Sequence, residues 1–106
     1  MKGRFDLGRR VMTARVSSRM ETDAPFAAFV SASMQRHALG DWGDVPTGDR
    51  IANEDALWVI DRVLSAYVHT DNTRIWIVTG WDFSVTTVLF PDEYLGWAKR
   101  ERGLIL

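Results

Sequence analysis

The sequence predicts an α+β domain of two layers, with helices packed on a three- to four-stranded antiparallel meander sheet. Apolar residues recur at helical spacing through residues 24–61. Over 62–90 the period shortens towards 2, β-branched and aromatic residues dominate, and turn-forming residues separate the segments. Helices that precede a meander cover one of its faces, which gives the two layers. With 106 residues, 46% of them hydrophobic, the chain reads as a single domain with a core of its own.

Residues 1–20 form a basic N-terminal arm or edge strand, in which Phe5-Asp6-Leu7 and Arg9-Arg10-Val11-Met12-Thr13 are extended and Gly8 interrupts them. Val16 and Met20 stand at i, i+4 and fit a short helix over Ala14–Met20. Thr22 and Asp23 are capping residues for the next helix, and Pro25 suits its first turn because the missing N–H is not needed there. Phe26, Phe29, Val30, Met34 and His37 then mark a helix over 24–38, with Gly40 as its stop.

Gly40-Asp41-Trp42-Gly43-Asp44-Val45-Pro46-Thr47-Gly48 is a connection dense in turn formers. A further helix runs from Asp49 to Ile60 with acidic residues towards its N-terminus, where the helix dipole favours them. Strands follow at 62–69, 74–79 and 84–90, joined by turns at Thr70–Thr73 and Gly80–Phe83. Pro91 ends the last of them. Residues 91–106 form a C-terminal tail or, over Asp92–Arg102, a short helix.

Charge is balanced overall, with a formal net value of −1, but it is unevenly placed. Lys2, Arg4, Arg9, Arg10, Arg15 and Arg19 face only Asp6 in the first 20 residues. Glu21, Asp23, Asp41, Asp44, Asp49, Glu54, Asp55 and Asp61 then outnumber Arg36 and Arg50. Two such blocks either neutralise one another across the fold or present fields to a charged partner. An acidic middle suits occupation of a basic groove on another protein, whereas the uniform basicity of a non-specific DNA binder is missing.

Several function classes are excluded by what the chain lacks. Without cysteine there is no disulfide framework, thiolate zinc site, iron–sulfur cluster or cysteine nucleophile, which fits a reducing cytosol. No apolar run approaches a membrane span and no secretory leader pattern follows the N-terminal arginines, so the expected location is the cytoplasm, away from membranes. Asp41, Asp44, Asp49, Asn53 and Glu54 are the densest oxygen-ligand cluster, but their spacing matches no calcium loop, and turn and capping roles account for them. His37 and His69 are the available neutral-pH bases, and no nucleophile elbow accompanies the serines. The expectation is therefore a non-enzymatic protein with no metal and no cofactor.

Five tryptophans are many for a chain of this length. Trp76 lies within a strand and reads as core. Trp42 and Trp81 lie in connections and Trp97 near the C-terminus, where aromatic side chains can anchor a partner.

Gly40-Asp41-Trp42-Gly43-Asp44, Asn53-Glu54 with Ala56-Leu57, Leu64-Ser65-Ala66-Tyr67, Trp76-Ile77-Val78-Thr79 and the run from Ser84 to Tyr94 resemble a family of small bacterial proteins of mobile elements. Its members carry labels such as "plasmid-related protein" or "type I restriction endonuclease subunit M". The resemblance covers about Arg36 to Tyr94 and implies no biochemical role. A methyltransferase needs a cofactor-binding α/β domain and an Asn-Pro-Pro motif, and a nuclease of the Pro-Asp type needs an acid before Lys99. This chain has neither. It departs from the family by carrying apolar Trp58-Val59-Ile60 and Gly80-Trp81 where polar residues are usual, which points to a partner surface or a homodimer.

The expectation is a small protein-binding accessory protein of a mobile element, in its sharpest form an anti-CRISPR-like inhibitor of a host defence complex. Its partner-binding residues would be Asp41, Trp42, Asp44, Asp49, Glu54, Trp58 and Trp81. The alternative is a nucleic-acid binder that contacts phosphates through Arg9, Arg10, Arg15 and Arg19 and stacks bases on exposed aromatics.

Overall fold

The computed structural model describes residues 3–101. Strand β1 (Arg9–Met12) is followed by helices α1 (Ala14–Thr22), α2 (Ala24–Ala38) and α3 (Thr47–Val59), strands β2 (Val63–Val68), β3 (Arg74–Thr79) and β4 (Val85–Leu89), a 3-10 turn (Pro91–Glu93) and helix α4 (Tyr94–Glu101). The helix starts follow from short polar side chains. The Thr13 hydroxyl accepts from Val16 N, and Asp23 accepts from Phe26 N with Pro25 in the first turn. Helix α3 stops where Ile60 turns left-handed at φ 56°.

The α+β class holds, and β2, β3 and β4 form the expected antiparallel meander. The sheet as a whole is mixed, in the order β1-β4-β3-β2, because β1 joins β4 in parallel with Arg9 beside Val85 and Met12 beside Val88. This corrects the all-antiparallel expectation. Tight turns dictate antiparallel neighbours, but three helices lie between β1 and the meander, and a connection that long can return the chain in either sense.

The two-layer expectation also changes. On one face, Tyr67, Ile75, Ile77 and Val88 meet Val16, Phe26 and Val30 of α1 and α2. On the other, Val78 and Leu89 are covered by Trp97 of α4. The segment after Pro91 is thus a packed turn and helix and not a free tail, with residues 102–106, like Lys2 of the basic arm, outside the described residues. Trp97 is 9% exposed and its indole N–H donates to Thr87 Oγ1, so it is a core residue and no surface anchor.

Helix α3 sits at the β2 margin, where Trp42, Val45 and Ala56 pack on Val63 and Ala66. Among the described residues no helix is long and apolar enough to cross a membrane.

Candidate protein-docking surface

The acidic connection before α3 is built into the fold. Trp42 is 4% exposed, and its Nε1 donates to Glu54 Oε2 at 2.9 Å. That overturns its reading as an exposed anchor. The indole is apolar over most of its surface and has one donor to satisfy, and Glu54 reaches from α3 to do so. Glu54 also takes both guanidinium nitrogens of Arg4, at 2.9 and 3.0 Å, and the Arg4 hydrogen bond, then that from Trp42, holds its carboxyl below the ordinary range.

Asp41 is bound by Arg36 at 2.7 Å, which lowers its pKa, and it accepts from Gly43 N. Its carbonyl accepts from the Tyr67 hydroxyl at 2.6 Å. Asp44 pairs with Arg74 at 2.8 Å. Three of the four candidate acids therefore face their own arginines, and this part of the acidic block is neutralised within the molecule.

The arginines of the N-terminal region divide in the same way. Arg15 pairs with Asp92 at 2.8 Å. Arg19 pairs with Asp23 and Asp71, donates to Thr73 Oγ1 and lies 4.3 Å from the centre of the Phe26 ring. These two side chains tie α1 to the β2–β3 turn and to the turn after β4. Arg9 and Arg10 have no carboxylate partner among the described residues. The four arginines expected to share a nucleic-acid surface are thus in two different electrostatic states.

The outward side of α3 is the exposed apolar surface. Asn53 and Ala56 are the buried positions of this helix. Ile51, Asp55, Trp58 and Val59 stand at i, i+4, i+7 and i+8 on the opposite side, with Trp58 87% and Val59 71% exposed. Ile60 continues the surface past the helix end. Pairing of Val63 with Thr79 brings the α3–β2 connection and the β3–β4 turn to the same end of the sheet, and that turn carries Trp81, 58% exposed. Asp55 and Asp61 accompany this surface, exposed and without an ion-pair partner among the described residues, whereas Asp49, also exposed and unpaired there, stands one turn before Asn53 and faces the β2 side with Leu64 and Arg74.

Of the seven expected partner-binding residues, Trp58 and Trp81 therefore lie on this surface and Asp49 is exposed on another side of α3, while Asp41, Asp44 and Glu54 are paired and Trp42 is inside. Ile51, Val59 and Ile60 belong to the surface as well. Val59 and Ile60 stand out in the sequence as departures from the resembled family, whereas Ile51 is counted only among the apolar residues of the helix. Their signal was that apolar residues fall on both sides of this helix, more than one buried stripe needs.

A serine–histidine pair also lies in the molecule, away from any surface. His37 Nδ1 is 2.5 Å from Ser65 Oγ, and its Nε2 is 2.8 Å from Thr79 Oγ1. Thr79 Oγ1 is 2.7 Å from Thr86 Oγ1, which donates to the Leu7 carbonyl at 2.6 Å. That carbonyl can only accept, so it fixes every proton in the chain. Thr86 gives its single proton to Leu7 and accepts from Thr79, Thr79 accepts from Nε2–H, and Nδ1 accepts from Ser65. All four side chains are buried, and burial lowers the His37 pKa to about 3. A neutral, fully bonded and sealed imidazole positions structure and meets no substrate. Among the described residues, no three His, Asp or Glu side chains gather to hold a metal ion.

Comparison with protein-family models, with curated proteins and with solved structures gave no match.

Proposed function

We propose that the chain is a small protein-binding module that docks through the outward side of α3 and the adjoining β3–β4 turn onto a basic, apolar groove of another protein. The observation that carries this reading is Trp58, 87% exposed on a helix whose buried side is already satisfied. Large exposed apolar side chains grouped with Val59, Ile60 and Trp81 are unusual on a monomer surface, and tryptophan is the residue most enriched among binding hot spots. The unpaired Asp55 and Asp61 select a partner of positive charge. Two copies stacked antiparallel through α3 would oppose Asp55 to Asp55, which disfavours a homodimer here.

In its sharpest form the groove is a nucleic-acid channel of a host defence complex, where an acid-flanked apolar ridge competes with the phosphate backbone. The resemblance to proteins of mobile elements motivates that choice.

The test compares wild type with Trp58→Ala as bait for proteins of a bacterial host, with each captured protein then purified and its Kd measured for both baits. The expected result is a partner with a basic surface whose affinity falls 30-fold or more with Trp58→Ala, roughly the hot-spot scale. The melting temperature should stay within about 2 °C, because so exposed a side chain supports little folding energy. Partners that bind both baits equally, or no partner at all, overturn the reading.

A further inference from the structure

The outer edge of β1 differs from the outward side of α3 in both charge and geometry. In the parallel ladder Arg9 N donates to Ser84 O at 2.8 Å and Thr13 N to Val88 O at 3.0 Å. Alternation along the strand then turns the N–H and C=O of Arg10 and Met12 away from β4. β1 is the last strand on its side of the sheet, and no described residue covers those groups.

Beside this edge runs a groove of about 470 Å³ between the N-terminal segment and the C-terminal half of α2, with Phe5, Leu7, Met34 and Leu39 among its lining residues. Arg10, aligned with Thr86, lies on the α2 face of the sheet and lines the same groove. Arg9 is on the other face. Neither has a carboxylate partner among the described residues, whereas Arg4, Arg15, Arg19, Arg36 and Arg74 are all paired.

We infer that β1 accepts an extended acidic segment of a partner protein as a fifth strand, with carboxylates facing Arg9 and Arg10 and an apolar side chain entering the Leu7–Met34–Leu39 groove. Main-chain hydrogen bonds to Arg10 and Met12 supply affinity, while the groove and the two guanidinium groups supply selection. A second copy of this chain is the wrong occupant. Pairing β1 with β1 sets four arginines against one another, and like charges across strands destabilise.

The probe is the capped hexapeptide Val-Glu-Glu-Val-Glu-Glu, which as a strand offers carboxylates and a valine on both faces, with Val-Lys-Lys-Val-Lys-Lys as control, added to the ¹⁵N-labelled full chain. The reading is amide hydrogen exchange at Arg10 and Met12. The expected result is fast exchange in the free protein and at least tenfold protection by the acidic peptide only. Met12→Pro removes an outward donor without touching the bonds to β4, and should weaken binding tenfold or more. Arg10→Glu keeps the donors and should reverse the peptide preference, which preserves the test if the proline variant does not fold. Protection in the free protein with a dimer mass, equal protection by both peptides, protection by a short single-stranded DNA instead, or none at millimolar peptide would each overturn the inference.

Discussion

The two edges of the sheet have been given opposite treatment. At β2 the outward main chain is closed. Asn53 of α3 donates to Leu64 O at 2.8 Å and accepts from Leu64 N at 3.1 Å, so one buried amide imitates a neighbouring strand. One step along, Ala66 N donates to Trp42 O and Ala66 O accepts from Asp44 N. The connection before α3 therefore acts as a rudimentary strand, bridged at Gly43 and Ala66. At β1 the corresponding groups of Arg10 and Met12 meet no partner among the described residues. An exposed strand edge is a site for unwanted pairing unless it is covered, shortened or charged. This protein covers one edge and leaves the other short, charged and beside a groove, which separates a structural margin from an available one.

The largest test of that contrast is Asn53→Ala. It strips Leu64 of both edge partners at a buried position, and the unsatisfied N–H and C=O cost about 2–4 kcal/mol together. The expected outcome is a matching loss in urea unfolding, accompanied by concentration-dependent association through the newly opened edge. A loss below about 0.5 kcal/mol shows that the amide is not what closes β2.

Gly43→Ala attacks the same edge one step along. Gly43 adopts φ 72°, and a Cβ there runs into the carbonyl oxygen of Ala66 and the Tyr67 ring. Backbone cannot move aside as a long side chain can, so the substitution should cost about 1–3 kcal/mol by urea unfolding. Wild-type stability with alanine here means the bridge between this connection and β2 is dispensable.

How much of this was legible beforehand depends on whether the signal was local. The helices at 24–38 and 49–60 and the three meander strands follow from periodicity and turn residues, and the structure has them at Ala24–Ala38, Thr47–Val59, Val63–Val68, Arg74–Thr79 and Val85–Leu89. Parallel pairing of β1 with β4 joins residues about 75 apart through three helices, and no local pattern encodes it. The Gly-Asp-Trp-Gly-Asp stretch was visible as a turn. That Trp42 enters the core and Asp41 and Asp44 find arginines depends on where α2 and β3 arrive. Trp58, marked by its departure from the resembled family, and Trp81, in a connection, lie outside, while Trp97 is drawn in by the α4 that the residues after Pro91 form.

Between the edges runs the His37 chain, from Ser65 on β2 through Thr79 on β3 and Thr86 on β4 to Leu7, just before β1. It predicts an acid response. The folded pKa, about 3, lies below the ordinary 6.5, so the unfolded chain binds the proton more readily. Stability from this group is complete above 6.5 and is lost as pH falls towards 3. Between pH 6.5 and 5 the carboxylates still keep their charge, and the slope approaches about 1.4 kcal/mol per pH unit. Urea unfolding at pH 7, 6 and 5 measures it. A flat profile means that His37 takes up a proton inside the fold as readily as in the unfolded chain, with the Nδ1–Ser65 bond then reversed.

The smallest expected effect tests the open edge. Arg10→Ala removes a side chain with no ionic partner among the described residues from a strand whose outward groups have none either. Its unfolding free energy should stay within about 0.5 kcal/mol of wild type. Because a free guanidinium on an edge also deters self-pairing, sedimentation at rising concentration should show the variant associating where wild type does not. Set beside Asn53→Ala, the pair separates two ways of managing an edge: one is built into stability, the other into charge alone. If Arg10→Ala destabilises as strongly as Asn53→Ala, then β1 is held by contacts of Arg10 within the molecule, and the distinction between a closed and an available edge fails.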